Sequence, residues 1–144
     1  MIYIRTGLVV PLVIVALAGT AVGGVKTSMD AASEVVTELG RESYLQYCAA
    51  CHGADARGSG PVGPSLKTAP ADLTGIAQRR EGKFPESEIA NLIDGRSMPA
   101  VHGTREMPVW GRRFSAALGG GEVGEEGVRG QLLILLEYLR SVQR

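Results

Sequence analysis

Cys48-Ala49-Ala50-Cys51-His52 decides how the rest of the chain is read. Two thiols three residues apart, with an imidazole directly after the second, form the spacing used for covalent attachment of a c-type haem. A turn of helix brings both sulfurs to where they can add to the two vinyl groups, and the adjacent His then lies under the iron as proximal ligand. The same pair also fits a simple disulfide, a thioredoxin-like redox pair or half of a zinc site. Each fits worse. A four-ligand zinc site wants a second pair, and the chain has no further Cys and, besides His52, only His102. A thioredoxin motif follows a strand and opens a helix, whereas this one closes a helical pattern and runs into a Gly-rich loop.

The chain has 144 residues, one domain's worth, with 15 basic and 15 acidic residues and 44% hydrophobic. That balance gives no sign of nucleic-acid binding or of a polybasic membrane patch. Aromatic residues make up only 5% and glycines number 20, so the side chains alone offer a modest core. A buried haem would supply the missing apolar body and make cofactor and fold depend on each other.

Residues 1–25 stand apart. Arg5 is the only charge before Lys26, and Gly7 to Val25 is uncharged, with Leu8 to Ala18 its most apolar part. A short positive region followed by an apolar one, with Ala16-Leu17-Ala18 as an A-x-A site, reads as an export signal. The competing reading is an uncleaved anchor associating with the membrane through residues 7–25, weakened by Gly19, Thr20, Gly23 and Gly24. Either sends the domain to an oxidising compartment, the periplasm, soluble or tethered at the outer face of the inner membrane. Residues 26–33 are small and polar and read as a short tether, leaving 34–144 as the haem domain.

After Ser33 the period turns helical. Val36, Gly40, Tyr44 and Tyr47/Cys48 recur on one side, with Glu34, Glu38, Arg41, Glu42 and Gln46 largely on the other. A helix is expected from about Glu34 to Cys48, with Ser33 as N-cap. Gly40 in mid-helix costs about 1 kcal/mol relative to Ala, which points to close approach by another helix. A second helix is expected over 85–95, with Pro85 at its first position, acidic residues in its first turn and Gly95 as C-cap. Its stripe of Ile89, Leu92 and Ile93 is core. Residues 69–84 read as connection, and 119–127 as an acidic, glycine-rich loop. The last helix is expected over about Val128–Gln143, with Leu132, Leu135, Leu136, Leu139 and Val142 as its buried face.

Gly40-x-x-x-Tyr44-x-x-x-Cys48-Ala49-Ala50-Cys51-His52-Gly53, followed by Gly60-Pro61-x-Gly63-Pro64-Ser65-Leu66, resembles a class I (monohaem) cytochrome c of the bacterial exported type, over about Ser33 to Gln143. The resemblance implies an all-α fold of about three to five helices wrapped around one covalently bound haem c, with the N- and C-terminal helices crossing. Gly40 and Tyr44 match the crossing positions, against Leu135 or Tyr138. It also implies a proline twelve residues after the haem His, here Pro64, whose carbonyl accepts the imidazole Nδ1–H. Such a bond fixes the ring and raises its basicity as a ligand.

Three side chains are candidates for the sixth iron position: Met98, His102 and Met107. Thioether favours ferrous iron and a higher potential, whereas a second imidazole lowers it. Class I members usually place the ligand Met before Pro in an extended loop, which suits both Met98-Pro99 and Met107-Pro108. Met107 ranks first because Met107-Pro108-Val109-Trp110-Gly111 resembles a recurring form of the distal loop. Met98 comes second and His102 third. Pro108 would stiffen the loop, and Trp110 would pack beside the haem.

With both axial positions filled, no open site remains for a small-molecule substrate, and the expected work is one-electron transfer at the haem edge by a carrier, not an enzyme. Partners are expected to be redox proteins docking transiently at that edge. Cleavage after Ala18 removes Arg5 and leaves a formal charge of −1 before propionates, so strong overall steering is not expected. Two other classes stay open: a haem subunit of a larger oxidoreductase, such as a dehydrogenase or sulfur-oxidising complex, and a haem sensor or catalytic domain with a labile Met.

Overall fold

In the computed structural model the described residues are 23–97 and 106–144, and their regular elements are all helical. The expected all-α fold is therefore met. Residues 1–22 of the stretch 1–25 expected as an export signal or anchor, together with Met98 and His102, lie outside the described residues. Five α-helices follow in order: α1 Gly23–Tyr47, α2 Ala49–His52, α3 Glu86–Asp94, α4 Trp110–Ala117 and α5 Gly121–Ser141. Short 3-10 turns occupy Gly63–Ser65 and Gln78–Arg80. Among the described residues no helix is long and apolar enough to cross a membrane.

The long pair α1 and α5 forms the frame. At their crossing, a Cβ added to Gly40 would overlap the Ile134 carbonyl and lie 2.8 Å from Tyr138 Cβ, so only glycine lets the backbones meet. One turn further on, the Tyr44 and Tyr138 rings pack with centroids 5.1 Å apart. Tyr44 and Leu135 are buried to 0% and 1% exposure, and Val128 joins them. Of the two residues expected at the crossing, Tyr138 is thus at the contact and Leu135 is buried in the same core. A Gln131–Ser43 hydrogen bond closes its flank.

Two boundaries differ from expectation. Helix α1 begins at Gly23, so the stretch 26–33 expected as a tether is helical and Ser33 lies inside a helix, not at its cap. Nothing there breaks a helix, since the segment has no proline and carries Ala31 and Ala32, the best helix former. Likewise the expected loop over 119–127 is mostly helix, because α5 starts at Gly121. The true turn is Gly119-Gly120-Gly121, with φ of 87°, 71° and 62°. Gly124 and Gly127 serve packing instead. A Cβ on Gly124 would sit 2.8 Å from the Ser115 carbonyl oxygen, and one on Gly127 would run into the Leu118 side chain. Their lack of side chains lets α4 lie close against α5.

Helix α3 matches expectation apart from Pro85, which sits at the cap position, just outside the helix. Gly95 adopts φ 72° and its N–H donates to Asn91 O at 2.9 Å, the left-handed cap that glycine favours. Ile89 and Ile93 are buried, and Arg140 of α5 pairs with Glu86. Just beyond α3, Arg96 bridges Asp94 at 2.7 Å and Glu125 of α5 at 2.6 Å, so the chain leaves α3 pinned to α5.

Candidate haem site

Helix α1 delivers the attachment motif. Its ladder continues past Tyr47 with Cys48 N–H donating to Tyr44 O, and α2 then carries Cys51 and His52, both N–H groups bonding Cys48 O at 3.1 and 2.9 Å. A helix end leaves its last carbonyls without partners. Here the following loop satisfies three of them in turn: Gly58 donates to His52 O, Gly60 to Cys51 O and Val62 to Ala50 O, at 2.7, 3.1 and 3.0 Å. This explains the glycine spacing after the motif, since a Cβ on Gly60 would sit 2.5 Å from Ala50 O. Buried Tyr44 adds its hydroxyl to Gly53 O at 2.6 Å, locking the motif to the α1–α5 crossing.

The His52 ring is fixed by a carbonyl, but not the expected one. Nδ1 lies 3.0 Å from Ala71 O, nineteen residues along the chain. A carbonyl only accepts, so Nδ1 carries a proton and Nε2 is the ring nitrogen left to face an iron. The Pro64 expectation is therefore corrected. Counting twelve residues from the His assumes one loop length, and in this chain Pro64 is spent in the 3-10 turn Gly63–Ser65, which is closed by Leu66 N–H on Gly63 O. The Ala71 segment is carried to His52 by Leu73 N–H on Ala56 O at 2.8 Å and by the end of α5. There Gln143 donates to Leu73 O and accepts from Ala77 N–H, while Arg144 bonds Thr74 O through its backbone and Asp72 through its guanidinium.

Cys48, Cys51, His52, Met107 and Trp110 line a single cavity of ≈ 410 Å³, within the ordinary range for small-molecule and cofactor sites. Pro64 does not line it. No disulfide joins the two thiols. Burial pushes the Cys48 thiol up to about 12, with the neighbouring Cys51 adding to the effect. The wall behind is aromatic. Tyr47 packs edge-on to Trp110 and Phe114 at 5.5 and 5.2 Å, those two stack at 5.6 Å, and Arg113 lies 5.3 Å over the Trp110 ring. Two thiols, an imidazole held through Nδ1 and a thioether around one apolar cavity are a donor set that suits a covalently bound haem, so residues and group fit.

The model of the Cytochrome c family matches residues 37–112. The chain belongs to the cytochrome c family. No curated protein and no solved structure matched it. As a class I cytochrome c it carries covalent haem c and transfers electrons with it, and Cys48 and Cys51 stand within the matched stretch. The match stops at the third residue of α4, and α5 supplies the helix that crosses α1.

Sequence reasoning misses three contributors. Tyr47 reads there only as a helix-face residue. Ala71 acts through its backbone, which leaves no side-chain signature. Glu106 lines the cavity next to Met107, and its carboxylate accepts the N–H groups of Lys67 and Thr68 at 2.6 and 2.9 Å. The Lys67 N–H above all, against slight burial, holds that carboxyl below its ordinary range.

Proposed function

We propose that this cytochrome c is an exported one-electron carrier with a single haem, attached through Cys48 and Cys51 and ligated by His52 and Met107. The observation that carries the reading is the shared cavity lining, which puts an imidazole and a thioether with both thiols. Haem supplies a one-electron ferric/ferrous couple. The chain's own residues tune and guard it. His52, held through Nδ1 by Ala71, is oriented as a ligand, while the soft Met107 sulfur favours the ferrous form. Pro108 restricts the backbone next to Met107, and Trp110, backed by Tyr47 and Phe114, keeps water from the interior. Thr68, Ala69 and Ala71 are exposed, small and on the cavity rim, which leaves an edge that redox partners approach closely in transient complexes. Residues 1–25 carry the export reading, as a cleaved signal or a retained anchor at the periplasmic face.

A second reading, a haem subunit of a larger oxidoreductase, is favoured by the outer face of α1, where Val35 and Leu39 are 60% and 47% exposed one turn apart. Co-purification with a second chain would support it. The carrier reading is tested on purified holoprotein. It expects one haem per chain, a low-spin spectrum in both oxidation states, a one-electron titration and no response of the ferrous form to carbon monoxide. Carbon monoxide binding under native conditions overturns it.

A further inference from the structure

The Glu106 carboxylate spans 39 and 38 positions to grip two successive backbone N–H groups, Lys67 with Oε1 and Thr68 with Oε2. Residues 66–73 belong to no helix or strand, so their placement relies on such contacts. The same short segment contains Ala71, whose carbonyl orients His52. On the other side, Glu106 is followed directly by Met107. A continuous path therefore runs from His52 through Ala71, back along the segment to Thr68 and Lys67, across the carboxylate, and on to Met107. A fork of two charge-assisted hydrogen bonds from adjacent N–H groups fixes direction as well as distance.

We propose that Glu106 is a positioning residue, a clamp that holds the Met107 segment against the segment orienting His52 and so couples the placement of His52 and Met107. This rests on Met107 as the distal ligand. The clamp acts on how firmly Met107 is held, not on the electron couple itself. Exogenous ligands compete with a weak thioether, so a looser segment yields to them at lower concentration.

The test compares holoprotein with Glu106→Gln and Glu106→Asp. The amide keeps a single acceptor oxygen and turns an NH2 toward the second N–H, whereas Asp keeps the charge with a shorter reach. Three readings are taken: amide hydrogen exchange at Lys67 and Thr68, affinity of the ferric form for imidazole, and the far-red Met–iron band. In Glu106→Gln, exchange at both amides is expected to rise about three- to tenfold, and imidazole affinity to rise by a similar factor, as suits partly solvated charge-assisted bonds. Glu106→Asp should recover part of both. Unchanged exchange at Lys67 and Thr68 overturns the clamp. Faster exchange with wild-type imidazole affinity overturns the coupling. Met107→Leu separates the two claims: if that variant keeps the far-red band, the distal assignment fails and the coupling with it, while the exchange data still judge the clamp. Should Glu106→Gln not accumulate, Glu106→Asp alone is compared with the parent, and the same two results overturn the clamp and the coupling.

Discussion

On the proximal wall of the haem cleft, both thiols and the imidazole arrive within five successive residues at the end of α1, and backbone hydrogen bonds from Gly58, Gly60 and Val62 hold them from behind. On the distal wall, Met107 stands in a segment outside any helix, three residues before α4, and a side-chain carboxylate ties its neighbour to the rest of the site. The first wall is contiguous and made rigid by main chain. The second is assembled from remote pieces. On the ligation proposed above, the consequence is a division of labour, in which the proximal wall retains the cofactor and the distal wall sets how firmly the sixth position is filled.

The largest expected effect comes from breaking the first wall. Replacing both Cys48 and Cys51 by Ser should abolish covalent haem completely, read as loss of haem staining on a denaturing gel. Retained staining would show that attachment does not run through the motif, and the contrast between the walls would fall. Breaking the second wall should do less. Met107→Leu is expected to keep covalent haem, lose the far-red band, open the ferrous form to carbon monoxide and lower the potential, within the roughly 0.8 V range that axial ligation spans. Loss of haem from this variant would mean that the distal side also retains the cofactor.

The same contrast decides what can be read from the chain alone. Contiguous features are readable: the attachment motif, the glycine and tyrosine of α1 that meet Tyr138, and the Gly95 cap of α3. Features whose cause lies far away in sequence are not. Gly124 and Gly127 read as loop because glycine costs a helix about 1 kcal/mol each, yet Ser115 and Leu118 occupy the space that side chains would need. The tether reading of 26–33 overlooks that a polar stretch without proline can prolong a helix already begun. Counting selects Pro64, but the loop that actually reaches His52 is longer and is stitched to the end of α5 by Gln143 and Arg144. Glu106 carries no signal, since nothing near it in sequence reveals that Lys67 and Thr68 present their N–H groups to it.

That stitching gives the smallest and most graded test, because it asks how much the proximal wall owes to something outside the motif. Asp72, next to Ala71, accepts from the Thr74 hydroxyl and N–H at 2.7 and 2.8 Å and from Arg144 at 2.7 Å. The Thr74 hydroxyl above all holds its carboxyl below the ordinary value, with the Thr74 N–H, Arg144 and Arg79 acting in the same direction against slight burial. A carboxyl whose folded pKa is depressed binds protons more readily in the unfolded chain. Its contribution to stability is therefore complete above the unfolded value of about 4 and is lost as pH falls through the lower, folded value. Asp72→Asn should accordingly unfold at a modestly lower temperature than the parent holoprotein near neutral pH, with the gap closing below about pH 4. A gap that stayed constant through that range would assign the effect to hydrogen-bond geometry instead of charge. If the variant also shifted the reduction potential near neutral pH, the end of α5 would be acting on His52 through Ala71, and the proximal wall would be less self-contained than its contiguous sequence implies.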